Sequence, residues 1–255
     1  MSVAPESVDG SDTGFRPRVV LVTGTGTDVG KTMVTAALAG AALAEGQRVC
    51  VVKPVQTGVG PGEPGDVAEV VRLLGSAAAG LVTHEFVRLP EPLAPQAAAR
   101  RAGVALASIG EHAERIAALV AEFDLVLVEG AGGVLVRLDA GGGTLADLAG
   151  LLRPTGVGAV VVTGVELGTL NVTELTVEAL RHRDGPVLGL VIGRWPAGPG
   201  TVERGNLVDL PRLTGVRLLG LIPERPALPP MVQPTPQATR LPAAGLSIDT
   251  VSARP

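Results

Sequence analysis

Between residues 18 and 221, short apolar runs alternate with stretches whose apolar residues recur every three or four positions. The runs predict strands at residues 18–22, 48–52, 124–128, 158–162, 187–192 and 216–221. Between the first two, Val34, Ala37, Leu38 and Ala41 fall at i, i+3, i+4 and i+7, one apolar helix face that stops near Gly46. Asp66 opens a second helix with Val67, Val70, Val71 and Leu74 on one face. Residues 81–96, broken by Pro90, Pro92 and Pro95, read as irregular. Short helices follow at 94–102 and 109–122, the latter opened by the capping-box pair Ser108 and Glu111. Thr144 with Asp147 starts another, with Leu145, Leu148, Ala149 and Leu152 inward. A helix runs from about Asn171 to His182, and one near 201–209 has Pro211 close to its end.

Sustained alternation of strand and helix predicts an α/β fold: one parallel sheet of the P-loop NTPase type, with helices on both faces. Neither an internal repeat nor an interdomain linker interrupts it, so residues 18–224 read as a single domain. Residues 1–17 are rich in Ser, Gly, Pro and Asp and read as a disordered tail. Residues 225–255 are proline-rich and are expected to lie over the surface or be mobile.

Composition narrows the class. Of 255 residues, 46% are hydrophobic but 2% aromatic, so the core is built from Val, Leu, Ile and Ala, which suits buried parallel strands. The net charge of −4 gives no general attraction to nucleic acid or anionic membrane, and the few aromatics offer no stacking platform for bases. Cys50 is the sole cysteine, so an intrachain disulfide and a cysteine metal cluster are both excluded. The N-terminal stretch lacks a signal-peptide pattern, and no apolar run is long enough to span a bilayer. A cytoplasmic protein without membrane or nucleic-acid partners is expected.

The chemistry concentrates at strand ends. The first strand runs into Gly24-Thr-Gly-Thr-Asp-Val-Gly-Lys-Thr32 and then a helix. Backbone N–H groups and the helix dipole favour an anion there; Lys31 adds a point charge, and the Thr32 hydroxyl can ligate Mg2+. The Walker A pattern puts its first glycine at position 25, which is threonine here; the glycine stands one place earlier, at Gly24. The second strand leads to Lys53 and Thr57, the strand at 124–128 to Glu129, and the strand at 158–162 to the loop Glu166-Leu-Gly-Thr-Leu-Asn171. In an open α/β sheet these carboxyl ends converge on one crevice. Glu129 resembles a Walker B carboxylate, and a hard cation needs such oxygens. Asp66 is either a third ligand or simply a helix N-cap. Lys53 is either a second cation beside Lys31 or a surface lysine. His84, His112 and His182 show no metal spacing and read as structural or surface residues.

Four segments together resemble dethiobiotin synthetase: Gly24 to Thr32, Lys53-Pro-Val-Gln-Thr-Gly58, Val128-Glu-Gly-Ala-Gly-Gly133 and Leu167-Gly-Thr-Leu-Asn171. The resemblance spans roughly residues 19–223. It implies an ATP- and Mg2+-dependent ring closure of 7,8-diaminononanoate with CO2, through a carbamate and a carbamic-phosphoric anhydride, in biotin synthesis. Carried over residue by residue, it makes Lys31 and Lys53 catalytic. It gives the nucleotide to Gly26, Thr27, Asp28, Val29, Gly30, Lys31, Thr32, Glu129, Gly193 and Pro223. It gives the diamine and carbamate to Thr27, Lys53, Thr57, Gly132, Leu167, Gly168 and Asn171, the last three reaching across a homodimer interface. Thr32, Asp66 and Glu129 would hold Mg2+.

Three positions depart from the family pattern. Gly26 and Asp28 stand where many members carry two acidic residues, and Glu166 stands where some carry lysine. Gly193 aligns with an asparagine that reads adenine in many members, so weak base discrimination is expected, with other nucleoside triphosphates supporting turnover. The competing expectations are a P-loop switch ATPase and a non-catalytic nucleotide-binding module. The absence of a lysine early in the loop argues against the switch ATPase. The synthetase half of an amidotransferase would need more length.

Overall fold

The alternation folds into one seven-stranded parallel sheet. The computed structural model describes residues 17–224 and 230–233. The strands are β1 (Val19–Gly24), β2 (Val49–Thr57), β3 (Val82–Leu89), β4 (Leu125–Gly133), β5 (Val157–Thr163), β6 (Val187–Trp195) and β7 (Leu218–Pro223). The helices are α1 (Lys31–Ala44), α2 (Asp66–Leu74), α3 (Pro95–Ala102), α4 (Ile109–Leu119), α5 (Leu145–Leu151), α6 (Thr169–Arg181) and α7 (Thr201–Thr214). The spatial order is β3-β2-β4-β1-β5-β6-β7, which places β1 at the centre between β4 and β5.

Successive residues of each central strand serve opposite faces. Val19 and Leu21 pack into one apolar layer with α3 to α7; Val20 and Val22 pack into the other with α1 and α2. Val49 and Val51 join the α1–α2 layer, while Cys50 and Val52 join the opposite one. Both faces being covered explains why β1 is buried along its whole length and reads as a continuous apolar run. Truncating a fully buried side chain such as Leu127 to alanine would cost about 2–5 kcal/mol.

One element differs in kind from the sequence expectation. Residues 82–89, expected to be irregular, form the edge strand β3 along β2. Seven of its eight residues are only partly buried or exposed, so the apolar run that marks the central strands is missing. Strand β2 also continues beyond residue 52 to Thr57. Pro54 is tolerated because β4 pairs with β2 only through Val52, and Pro54 is itself absent from the β2–β3 register. Helix α7 passes through Pro211 to Thr214, α4 stops at Leu119, and Val71 is 40% exposed rather than inward.

The N-terminal tail lies outside the described residues except for Pro17, as does most of the proline-rich segment. Within the latter, Pro230–Gln233 are described: Gln233 exchanges backbone hydrogen bonds with Leu221 of β7, and Val232 is buried in the α1–α2 layer. A Cβ on Gly220 would stand 2.2 Å from the Gln233 carbonyl, so glycine there allows this approach. Among the described residues no helix is long and apolar enough to cross a membrane.

Candidate active site

The loop after β1 delivers an uncapped helix N-terminus. Gly30 occupies the N-cap position of α1 with φ 98°, no side chain caps the helix, and its first turn carries no acidic residue. By contrast, α4 and α5 each open with a complete capping box, Ser108 with Glu111 and Thr144 with Asp147. The free N–H groups and dipole of α1 therefore face the loop and favour an anion. Asp28 holds φ 59°, a conformation aspartate tolerates better than most residues.

Strand ends bring charged side chains to this loop. Register places Glu129 of β4 beside Val22 of β1. Its carboxylate is buried and accepts hydrogen bonds from Thr32 Oγ1 (3.0 Å), Thr35 Oγ1 (2.8 Å) and Lys53 Nζ (3.1 Å). Lys53 Nζ also donates to the Gly130 carbonyl at 2.8 Å and pairs with Asp66. Lys31 Nζ folds back onto the Gly26 carbonyl at 2.8 Å.

For Lys53 and Asp66 the plainer alternative is excluded. Lys53 is 3% exposed, so it is no surface lysine. Asp66 is not the N-cap of α2: Gly65 holds that position, and Asp66 is the first helical residue, with its side chain turned to Lys53. The α2 N-terminus is served by Gln56, whose Oε1 accepts from Asp66 N–H at 2.8 Å.

The electrostatics follow from these contacts. Burial pulls the Lys53 ammonium down, but Glu129 and Asp66 more than offset it and leave it above its ordinary value. Burial pushes the Asp66 carboxyl up, and Lys53 overrides this to hold it below the usual range. Lys31 falls below its ordinary value, first through burial and then through the Lys53 charge.

Thr32, Asp66 and Glu129 supply a hydroxyl and two carboxylates, all hard oxygens; both carboxylates contact Lys53 Nζ, and Thr32 contacts Glu129. Among the described residues no group of three or more His, Cys, Asp or Glu side chains could enclose a metal. This donor set fits Mg2+, which takes one or two carboxylates and completes its shell with phosphate oxygens and water.

A cleft of about 620 Å3 opens above these residues. Of the residues singled out from sequence, Thr27, Asp28, Gly30, Lys31, Thr32, Lys53, Thr57, Asp66, Glu129 and Gly132 line it. Gly26, Val29, Gly193, Pro223, Leu167, Gly168 and Asn171 do not. The loop after β5 thus lies outside this cleft. Strand β5 lies on the far side of β1 from β4, and Leu167 on its loop is 87% exposed. That loop leads to another glycine-started N-terminus: Gly168 is the N-cap of α6 with φ 95° and no side-chain cap. A run of hydroxyls joins the two loops, Thr25 to Thr163 at 3.5 Å, then Thr163 to Thr169 (2.8 Å) and Thr173 (2.7 Å).

Sequence reasoning missed Gln56, Thr35, Val136, Arg194 and the wall from Pro92 to Pro95. The wall follows β3, so missing that strand hid it. Thr35 was legible, one helical turn beyond Lys31 on the face toward β4.

A family model described as an AAA domain matches residues 18–232. The ATP-dependent dethiobiotin synthetase BioD of Streptomyces coelicolor is 56% identical over 205 residues, covering 80% of this chain and 83% of that protein. The protein of the same name from Rhodococcus jostii is 55% identical over 205 residues, covering 80% and 86%. Among solved structures, the cell division ATPase MinD of Pyrococcus furiosus is similar with a TM-score of 0.54. That likeness covers 82% of this chain and 84% of that one at 22% identity, and it concerns the fold alone.

Proposed function

The chain belongs to the ATP-dependent dethiobiotin synthetase family, and from that membership we propose how its cleft carries out the ring closure. The substrates are 7,8-diaminononanoate, CO2 and a nucleoside triphosphate. The observation that carries the reading is the meeting of Lys31, Lys53, Thr32, Asp66 and Glu129 at the carboxyl ends of β1, β2 and β4.

In the first step one neutral amine of the diamine attacks CO2 and gives up a proton to solvent, leaving a carbamate. Lys53 holds the carbamate oxygens, with the Thr27 and Thr57 hydroxyls and the backbone at Gly132 alongside. In the second step a carbamate oxygen attacks the γ-phosphorus, and the nucleoside diphosphate leaves. Lys31 and the N–H groups at the start of α1 stabilise the charge on the transferring phosphoryl group. In the third step the second amine attacks the carbonyl carbon, the new C–N bond closes the ureido ring, the C–O bond to phosphate breaks, and the amine proton leaves with the phosphate or to solvent. Mg2+ held by Thr32, Asp66 and Glu129 would neutralise phosphate charge when bound. The cleft's main contribution is to hold amine, carbonyl and phosphoryl group in reach of one another.

The Leu167–Asn171 loop completes the site from a second copy of the chain. Its support is geometric. Leu167, Val172 and Leu175 are exposed apolar side chains around Asn171, beside the uncapped N-terminus of α6. A two-fold dimer that buries this face would bring that N-terminus to the substrate carboxylate of its partner. Operation in the cytoplasm completes the reading.

The test is phosphate release by the full chain, measured with and without the diamine and bicarbonate. Release that needs both supports the ring closure. Steady release without the diamine would favour a switch ATPase, and nucleotide binding without release a regulatory module.

A further inference from the structure

One ammonium holds the two carboxylates that would serve a divalent cation. Lys53 Nζ pairs with Asp66 Oδ2 and lies 3.1 Å from Glu129 Oε1, the same oxygen that accepts from Thr32 Oγ1 at 3.0 Å. Thr32, Asp66 and Glu129 are the donors that fit Mg2+. Lys53 is nine-tenths enclosed and its remaining contact is the Gly130 carbonyl, so among the described residues Asp66 and Glu129 are its anionic partners.

We propose that Lys53 acts as a displaceable competitor at the metal site, so that carbamate formation and metal–nucleotide binding promote each other. Two cations cannot both hold these carboxylates at full strength. A carbamate oxygen gives the ammonium a new anionic partner and releases Asp66 and Glu129 to the metal. By reciprocity, metal binding frees Lys53 for the carbamate. The linkage sets the sign of the coupling.

The geometry also says which residue transmits the coupling. Asp66 is 35% exposed at its side chain and sits on the first turn of α2, whereas Glu129 is fixed by Thr35 from below. Asp66 is therefore the partner that exchanges ammonium for metal with the smaller rearrangement.

The inference rests on the metal and carbamate roles proposed above, and the experiment separates the two. Mn2+ binding is followed by the electron paramagnetic resonance signal of free Mn2+. The full chain is saturated with a non-hydrolysable ATP analogue, and measurements are made with and without the diamine plus bicarbonate. Wild type is expected to bind Mn2+ about fivefold more tightly with the pair present. Lys53→Met, without the pair, is expected to bind Mn2+ about tenfold more tightly than wild type and to show no further response to the pair. Glu129→Gln is expected to lose at least tenfold in Mn2+ affinity.

If Glu129→Gln binds Mn2+ like wild type, both the metal-site reading and the inference fall. If Glu129→Gln loses the metal but Lys53→Met binds it no more tightly, the inference alone is overturned. Should Lys53→Met fail to fold, the wild-type comparison decides: no tightening by the diamine and bicarbonate overturns the inference.

Discussion

The Val29 carbonyl oxygen lies 2.0 Å from where a Cβ on Gly193 would stand. The contact is mutual, since a Cβ on Gly30 would meet the Gly193 carbonyl at 2.4 Å. The end of β6 and the phosphate loop are thus packed backbone to backbone. Gly193 is more than a position lacking a base-reading side chain; it is a position closed to one.

A substitution at Gly193 is therefore expected to displace the phosphate loop rather than to add adenine recognition. Gly193→Asn should lower stability by about 1–3 kcal/mol and weaken binding of every nucleotide alike. Competition binding of ATP, CTP and GTP to both proteins checks this. In wild type the three should compete within about one order of magnitude, because phosphate contacts at Lys31 and α1 dominate. A variant that gained selectivity for ATP would contradict the packing argument.

The two lysines are expected to fail differently. Lys31→Ala removes the charge beside the phosphate loop and should damage phosphoryl transfer, lowering turnover by at least about a hundredfold. Lys53→Ala should reduce carbamate capture more than nucleotide affinity. Nucleotide titration and 13C-bicarbonate trapping by each variant distinguish them. Equal, large losses of nucleotide affinity in both would contradict the division.

Gln56 joins β2 to α2 and fixes where Asp66 can point. Gln56→Leu keeps the volume but leaves the Asp66 N–H without its acceptor. It should cost about 1 kcal/mol in denaturant unfolding. It should also raise the Mg2+ concentration needed for half-maximal activity, because Asp66 loses its anchor.

His112 sets an acid limit on stability. It is fully buried on α4, stacked on Phe86 with ring centroids 5.9 Å apart, and among the described residues neither ring nitrogen has a hydrogen-bond partner. Burial first, then the Arg115 charge, holds its imidazole below the ordinary value, against weaker pulls from Asp139 and Glu111. The unfolded chain therefore binds the proton more readily. Stability is full above about pH 6.5 and erodes as the pH falls from there toward the folded-state value. His112→Phe should match or exceed wild type by about 1 kcal/mol at pH 7.5, with an advantage that widens by pH 5.5. Denaturant midpoints at both values measure it. Loss of carboxylate pairs such as Asp66 with Lys53 belongs to lower pH, below the ordinary aspartate range.

The central sheet was legible because β1, β4 and β5 are buried on both faces and so read as unbroken apolar runs. Edge strand β3 was not, because Val82, Thr83, His84 and Glu85 meet solvent on part of their surface and the pattern dissolves. The charged residues of the cleft were legible as types at strand ends, yet their pairing was not. Spacing alone could not decide whether Asp66 capped α2, since that depended on a Gln56 side chain reaching across ten residues. Nor could it show that the Gly193 backbone touches the phosphate loop, a contact made by the crossing of β6 over more than 160 residues of chain.

The ring closure itself is tested most directly with 18O-labelled bicarbonate. The full chain, the diamine, Mg2+ and ATP are mixed with it, the reaction is quenched early, and phosphate and product are examined by mass spectrometry. Transfer through a carbamic-phosphoric anhydride leaves one bicarbonate oxygen on the phosphate and one in the ureido carbonyl, with phosphate and cyclised product formed in equal amounts. Unlabelled phosphate, or phosphate released without cyclised product, would contradict the account.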